Sequence, residues 1–336
     1  MRKIDIFNHI QPHKYFEHIQ GIASAKVGLG KRTSGHTRLR DLDERFRVMD
    51  RFGDYRQVLT IPGPQPADLG GPSESPDIAR IGNDGLAELV QRHPDRFVGF
   101  AAAIPMNNPD AAADETHRAI RELGACGVEI FTNVNGKPLD APEFRPFWDA
   151  VAQHDLPVWM HPARKLTDYP SEPRSRYEIS HVLGYPYETS VAMARLVFSG
   201  MLDLYPGLKI ITHHMGGILP YVEGRIGPGW GALGSRTSEE DYSGVLASLK
   251  RPHADYFKEF YADTALLGAR AGTVCGLDYF GADHVLFASD FPFDPEPGKF
   301  ILDTIAIIDG LDISNEVRAK IYHGNAERLL KLSSGD

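Results

Sequence analysis

Apolar residues fall into short continuous runs that recur along the chain, each followed by a stretch in which apolar positions are spaced three or four apart. The runs predict strands at 4–8, 55–61, 96–104, 127–132, 157–161, 208–212, 259–263 and 284–288. Several, such as Val158-Trp159-Met160 and Val285-Leu286-Phe287-Ala288, show no polar alternation, as strands buried on both faces of a parallel sheet do not. Between them the spacing predicts helices over 77–93, 109–123, 142–154 and 187–205, with Pro94, Gly124 and Pro206-Gly207 as stops. Eight strand–helix alternations in 336 residues predict an α/β fold, a (β/α)8 TIM barrel. An open doubly wound sheet is the alternative, because periodicity does not count closure.

Four connections exceed simple turns: 11–50, 63–76 and 162–186 after the first, second and fifth strands, and 226–253 before the seventh. The first three follow the carboxyl ends of strands, the face on which barrel enzymes assemble their sites. Strand–helix alternation continues past the Gly/Pro-rich segment 63–76, so it reads as a loop and not a linker. Residues 1–336 are expected to form a single domain with long βα-loop insertions.

Charge narrows the partners. Lys plus Arg total 36 against 45 acidic residues, a formal charge of −9, the wrong sign for a protein built on phosphate neutralisation. Nucleic acid is therefore not expected, whereas a small anionic organic substrate is compatible if Arg, His or a metal inverts the field within a cleft. The two cysteines, Cys126 and Cys275, have no ligand-like spacing and offer no disulfide framework. No run is long enough to cross a membrane and the first residues lack an apolar export segment, so a cytoplasmic protein without a membrane partner is expected. Trp230, in the long segment 226–253, is a candidate homodimer contact.

The chemistry gathers at strand ends. His9 closes the first strand, His161 ends the fifth, His213-His214 follow the sixth and Asp290 follows the eighth. If the barrel closes, these side chains share one mouth, and neutral imidazole with carboxylate suits zinc or manganese. Singly, each has a plainer reading, a hydrogen-bonded structural histidine or an Asx turn before Phe291-Pro292. Four such residues at the same end of four strands favour a shared site.

The stretches IDIFNHIQP, VWMHPAR, KIITHHMGGILP and LFASDFPF, with YPYETSVAMARLVFSGMLDLYPGLKI and the closing YHGNAERLL, resemble the amidohydrolase superfamily, in its amidohydrolase 2 or aminocarboxymuconate-semialdehyde decarboxylase-like branch. The likeness spans nearly the whole chain. It implies a (β/α)8 barrel holding one divalent ion, usually zinc or manganese, and an enzyme that decarboxylates aromatic or dienoic acids, hydrolyses carbon–carbon bonds, or hydrates. By motif position it implies His9, His161 and Asp290 as metal ligands and His214, six residues before Pro220, as the catalytic imidazole. His213 falls where the family usually has a small residue, and either lines the mouth or packs.

One position departs from the family. Its first strand carries HxH, and here the first member is Phe7. Side chains of a strand alternate, so Phe7 and His9 share a face, Asn8 points away, and Asp5 on the same face lies about 13 Å below His9. The ion is then held by His9, His161 and Asp290 with water or substrate, or bound more weakly, or lost. His13, His18 and His181 in the long loops are candidates for the vacancy, with solvated loop histidines as the plain reading. Arg164, three residues beyond His161, and Arg225, five beyond Pro220, are candidate carboxylate clamps or surface ion pairs. Glu188 opens a helix as a catalytic acid or as a carboxylate favoured by the helix dipole.

Together these features predict a metal-dependent, non-oxidative decarboxylase of an aromatic or unsaturated carboxylic acid, with Asp290 or His214 protonating the carbon that bears the carboxylate. A metal-dependent hydrolase on the same barrel and a non-catalytic binding protein with a degenerate site are the alternatives.

Overall fold

The eight expected strands form and pair in sequence order: β1 (Lys3–His9), β2 (Tyr55–Thr60), β3 (Phe97–Ala103), β4 (Gly127–Phe131), β5 (Val158–His161), β6 (Ile210–Thr212), β7 (Tyr261–Asp263) and β8 (Val285–Leu286). The computed structural model describes residues 1–26, 33, 35–163, 168, 171–172, 174–236 and 239–332. Every neighbouring pair is parallel. The chain just past β8 returns to β1: Ile6 N–H donates to Phe287 O (3.1 Å), His9 N–H to Phe291 O (2.7 Å), and Asp290 N–H to Phe7 O (3.0 Å). The ring of strands is thereby closed into an α/β barrel, not an open doubly wound sheet.

The inside of the barrel is filled by Ile4, Ile6, Val58, Ala101, Trp159, Ile211 and Leu286. Trp159 is fully buried, and its indole N–H donates to Ile6 O at 2.8 Å. The outer faces meet helices that follow the strands, Ser75–Arg92, Pro109–Arg121, Arg145–Ala152, Gly184–Phe198, Arg270–Phe280 and Lys299–Asp309. Local chemistry sets their ends: the Asn108 side chain accepts from Ala111 N–H with Pro109 in the first turn. The helix predicted over 187–205 starts earlier and is broken, because Gly200 (φ 75°) starts a separate turn, Met201–Leu204.

Strand β1 breaks the simple alternation. Asp5 pairs with Gln57 and Asn8 with Leu59, so three steps on β1 face two on β2, a β-bulge. Ile4 and Ile6 point inward below the bulge, and Phe7 and His9 point inward above it. Asp5 therefore does not share the face of Phe7 and His9, as strict alternation predicts; its carboxylate accepts from the Tyr55 hydroxyl, the Ser289 hydroxyl and Phe7 N–H. Asn8 does point away, and its side chain accepts from Arg45 at 2.5 Å.

Arg45 lies in the helix Leu42–Met49 of the first long insertion and is fully buried. Its guanidinium donates to Gln57 Oε1 (2.8 Å), His9 O (2.7 Å) and Asn8 Oδ1, tying the insertion to the end of β1. Burial lowers its pKa to about 10. Trp230 is not a free surface aromatic: it stacks on Phe257 (5.5 Å, 10°) and meets Phe198 edge-on. Among the described residues no helix is long and apolar enough to cross a membrane.

Candidate active site

Closure of the ring brings the ends of β1, β5, β6 and β8 together. His9 Nε2 stands 3.3 Å from Asp290 Oδ1. The His161 ring centre lies 5.5 Å from that of His9 and 5.8 Å from that of His213. Phe7 sits among them, 4.6 Å from His9, 5.5 Å from His161 and stacked on His213 at 3.5 Å and 17°. His214 is 5.8 Å from Phe7. Phe131 at the end of β4 covers His161 at 4.5 Å, and Phe293 covers His9 at 5.4 Å.

The imidazoles share a hydrogen-bonding pattern. The Thr60 hydroxyl donates to Asn8 O (3.0 Å), so its oxygen accepts from His9 Nδ1 at 2.9 Å. His161 Nδ1 donates to Pro162 O (2.8 Å), His213 Nδ1 to Asp263 Oδ2 (2.5 Å) and His214 Nδ1 to Ala265 O (2.6 Å). With Nδ1–H tied in each case, a ring that is neutral has its lone pair on Nε2, and a protonated one has a second N–H there. Such an outer bond on Nδ1 is the support that metal-binding imidazoles have. On His9 the Nε2 faces the Asp290 carboxylate at 3.3 Å, an ion pair when the ring is protonated and a pair of donors for a divalent ion when it is neutral.

Electrostatics agree with neutral rings at His161 and His213. Burial, reinforced by His9 and then His213, holds the His161 pKa well below the usual histidine range. Burial, reinforced by His214 and His9, does the same to His213. Burial pushes Asp263 up to about 7, although its Oδ1 accepts from His214 N–H (2.9 Å) and Ala265 N–H (3.0 Å). Three residues at this rim, His214 (φ 54°), Met215 (φ 56°) and Asp290 (φ 61°), hold left-handed backbone that costs non-glycine residues about 1–2 kcal/mol each.

The donor chemistry fits a divalent ion: neutral imidazoles, a carboxylate, and the facing pair His9–Asp290. Among the described residues, however, no three His, Cys, Asp or Glu side chains close tightly enough to enclose an ion as they stand. The expected trio is met as one close pair, His9 and Asp290, with His161 a ring's breadth away.

The other expected positions are spread more widely. Arg225 is exposed in the turn Arg225–Gly229, and Glu188 is half-buried in Gly184–Phe198. Arg164 lies outside the described residues. His13 and His18 are exposed, His13 beside Glu17, and His181 meets Tyr185, whose ring centre is 6.5 Å from His161. Sequence reasoning missed Thr60, Asp263 and Glu129. Thr60 and Asp263 end β2 and β7, so asking which polar residue ends every strand finds both. Glu129 on β4 is buried, and burial raises its pKa well above the carboxylate range against an interaction with the Thr60 side chain that lowers it.

A parallel barrel whose carboxyl rim carries neutral imidazoles beside a carboxylate is the kind of enzyme site that suits a divalent ion. The chain belongs to the amidohydrolase family, whose sequence pattern matches residues 9–332. It is 35% identical over 310 residues to the gamma-resorcylate decarboxylase of Polaromonas sp. (strain JS666), covering 88% of this chain and 90% of that protein. It is 28% identical over 295 residues to the 2-amino-3-carboxymuconate-6-semialdehyde decarboxylase of Dictyostelium discoideum, covering 87% and 77%. The crystal structure of a dihydroxybenzoic acid decarboxylase from Polaromonas sp. JS666, with bound manganese and the inhibitor 2-nitroresorcinol, superimposes with a TM-score of 0.80 at 31% identity, covering 99% of this chain and 98% of that one. The aminocarboxymuconate-semialdehyde decarboxylase-like branch is thus the right one.

Proposed function

We propose that the protein is a metal-dependent, non-oxidative decarboxylase of a hydroxylated aromatic carboxylic acid. The observation that carries this reading is the facing of His9 Nε2 and the Asp290 carboxylate at 3.3 Å, an imidazole–carboxylate pair at the barrel rim of the kind that suits a divalent ion. His9, His161 and Asp290 would hold the ion, zinc or manganese, and the manganese-bound relative supports that choice. When bound, the ion supplies Lewis acidity that offsets the charge of a carboxylate and a neighbouring ring oxygen.

The protein's own groups handle the proton and exclude water. Phe7, Phe131 and Phe293 wall the imidazoles with apolar surface. Asp290, or His214 through Nε2, delivers a proton to the carbon bearing the carboxylate. The carbon–carbon bond to the carboxylate then breaks, its electron pair restores the aromatic ring, and CO2 leaves. His214, steadied by Ala265 O, also hydrogen-bonds the departing carboxylate when its Nε2 carries a proton. Arg164, Arg225, His213 and Glu188 are the candidates for substrate contact.

The reading extends to a single-domain cytoplasmic enzyme, in keeping with two cysteines that form no disulfide. A second copy of the chain is its proposed partner, carried by exposed Val182, Leu183, Tyr187, Ile218 and Tyr221. The test is CO2 release from a panel of hydroxybenzoates by manganese- and zinc-loaded protein in 18O-water. Release of CO2 with no 18O in the aromatic product is expected; label in that product would establish hydrolysis instead, and no turnover by wild type would leave a binding protein.

A further inference from the structure

The facing pair His9–Asp290 is held from behind by one buried carboxylate. Asp5 is fully buried below the β1 bulge, and its two oxygens take four donors, as many as a carboxylate accommodates. Oδ1 accepts from Phe7 N–H (3.1 Å) and Ser289 N–H (3.3 Å), and Oδ2 from the Tyr55 and Ser289 hydroxyls. Ile6 and Phe7 have no partner in the register with β2, and the Phe7 N–H is taken by Asp5 instead. The side chain thus secures the bulge that turns Phe7 and His9 into the mouth. Asp290 holds φ 61°, a conformation that a non-glycine residue keeps only where its surroundings fix it. Those fixing contacts lead back to Asp5. Ser289 Oγ accepts from Phe291 N–H (3.3 Å) while donating to Asp5, and Asp290 N–H donates to Phe7 O (3.0 Å).

We infer that Asp5 is a positioning residue for the His9–Asp290 pair, acting on His9 through the β1 bulge and on Asp290 through Ser289. Its effect on turnover rests on the proposed decarboxylation, whereas its effect on geometry does not. Tyr55 supplies an internal control, because it bonds the same Oδ2 but comes from β2, which carries neither member of the pair. A carboxylate that served stability alone would answer equally to the loss of either hydroxyl. A positioning carboxylate answers to Ser289.

The test reads the rate of CO2 release and the crystal structure of each variant, with urea unfolding as the folding control. Ser289→Ala and Asp5→Ala are expected to lower the rate by about 100-fold, the scale of a misplaced reacting group. In both crystals Asp290 should leave the left-handed region and the 3.3 Å separation of His9 Nε2 and Asp290 Oδ1 should widen. Asp5→Asn keeps an acceptor for the two N–H groups and turns its amide to two hydroxyls that are able to accept, so it should restore the rate to within about tenfold of wild type. Tyr55→Phe should lower the urea midpoint as much as Ser289→Ala does, yet leave the rate within about threefold of wild type. Unchanged turnover with a left-handed Asp290 in Ser289→Ala overturns the role of Asp5, as does an equal loss of rate in Tyr55→Phe. Should Asp5→Ala fail to fold, Ser289→Ala decides. Should wild type release no CO2, the decarboxylase reading falls and the crystals alone decide: a pair unmoved in Ser289→Ala overturns the positioning role, and a displaced one upholds it.

Discussion

The floor and the mouth of the barrel are made by the same strands under opposite rules. On the floor Ile4, Ile6, Val58, Trp159, Ile211 and Leu286 fill the interior with apolar volume, and the indole N–H of Trp159 finds the Ile6 carbonyl. At the mouth, a few residues further along the same strands, the interior positions carry His9, Thr60, Glu129, His161, His213 and Asp263, all buried. The His213 Nε2 has no hydrogen-bond partner there, and His214, Met215 and Asp290 hold left-handed backbone. The floor lowers the free energy of the fold, and the mouth stores some of it in groups that wait for a ligand.

The widest separation should come from the floor. Trp159→Ala is expected to remove about 5 kcal/mol of stability, through lost volume and a carbonyl left without its donor. Urea unfolding reads this, and a loss under about 2 kcal/mol would show that the floor repacks as freely as a surface. At the mouth, Asp290→Asn should lower the rate of CO2 release by about 10³-fold or more, with stability within about 1 kcal/mol of wild type. A matching drop in stability would erase the distinction between the two regions.

Asp5 lies outside both, behind the bulge, and gives a pH signature. Burial lifts its pKa to about 6, above the usual value near 4, against hydrogen bonds from Ser289 and Tyr55 that lower it. The native state then keeps a proton that the unfolded chain releases. Its contribution is full below about pH 4 and is lost as pH rises through about 6, a fall of about 2–3 kcal/mol. Asp263, raised to about 7, acts with the same sign. Denaturant titrations of wild type and Asp5→Asn from pH 4 to 7 check this: the variant should lose the lower part of the slope. The smallest effect belongs to Thr60→Val, which removes the acceptor on His9 Nδ1 and should lower metal affinity or turnover by about tenfold. An unchanged Kd and rate would show that His9 is oriented by Asp290 alone.

Much of the architecture was legible because burial on both faces leaves long apolar runs, and all eight strands fall within the runs or at most one residue beyond them. His9, His161, His213 and Asp290 were legible for a related reason: a polar residue ending an apolar strand stands out. The bulge at β1 was not, because Ile6-Phe7 reads as ordinary strand and only the unequal pairing with β2 shows the slip. That slip put Asp5 on the wrong face in a strict alternation. Arg45 was missed because its helix looks amphipathic and charged, and its burial depends on Gln57, Asn8 and His9 O arriving from elsewhere. The intrachain packing of Trp230 was not legible either, because its ring partners Phe198 and Phe257 come from other helices.

The seam between β1 and the chain beyond β8 has a consequence for how the protein is made. His9 is synthesised well before Asp290, and the backbone bonds that seat them, His9 N–H to Phe291 O and Asp290 N–H to Phe7 O, cross that seam. A nascent chain holds only part of this rim until β8 and the segment beyond it dock, so the proposed site is completed in one late event. Until then, an inhibitor or substrate has nothing complete to grip.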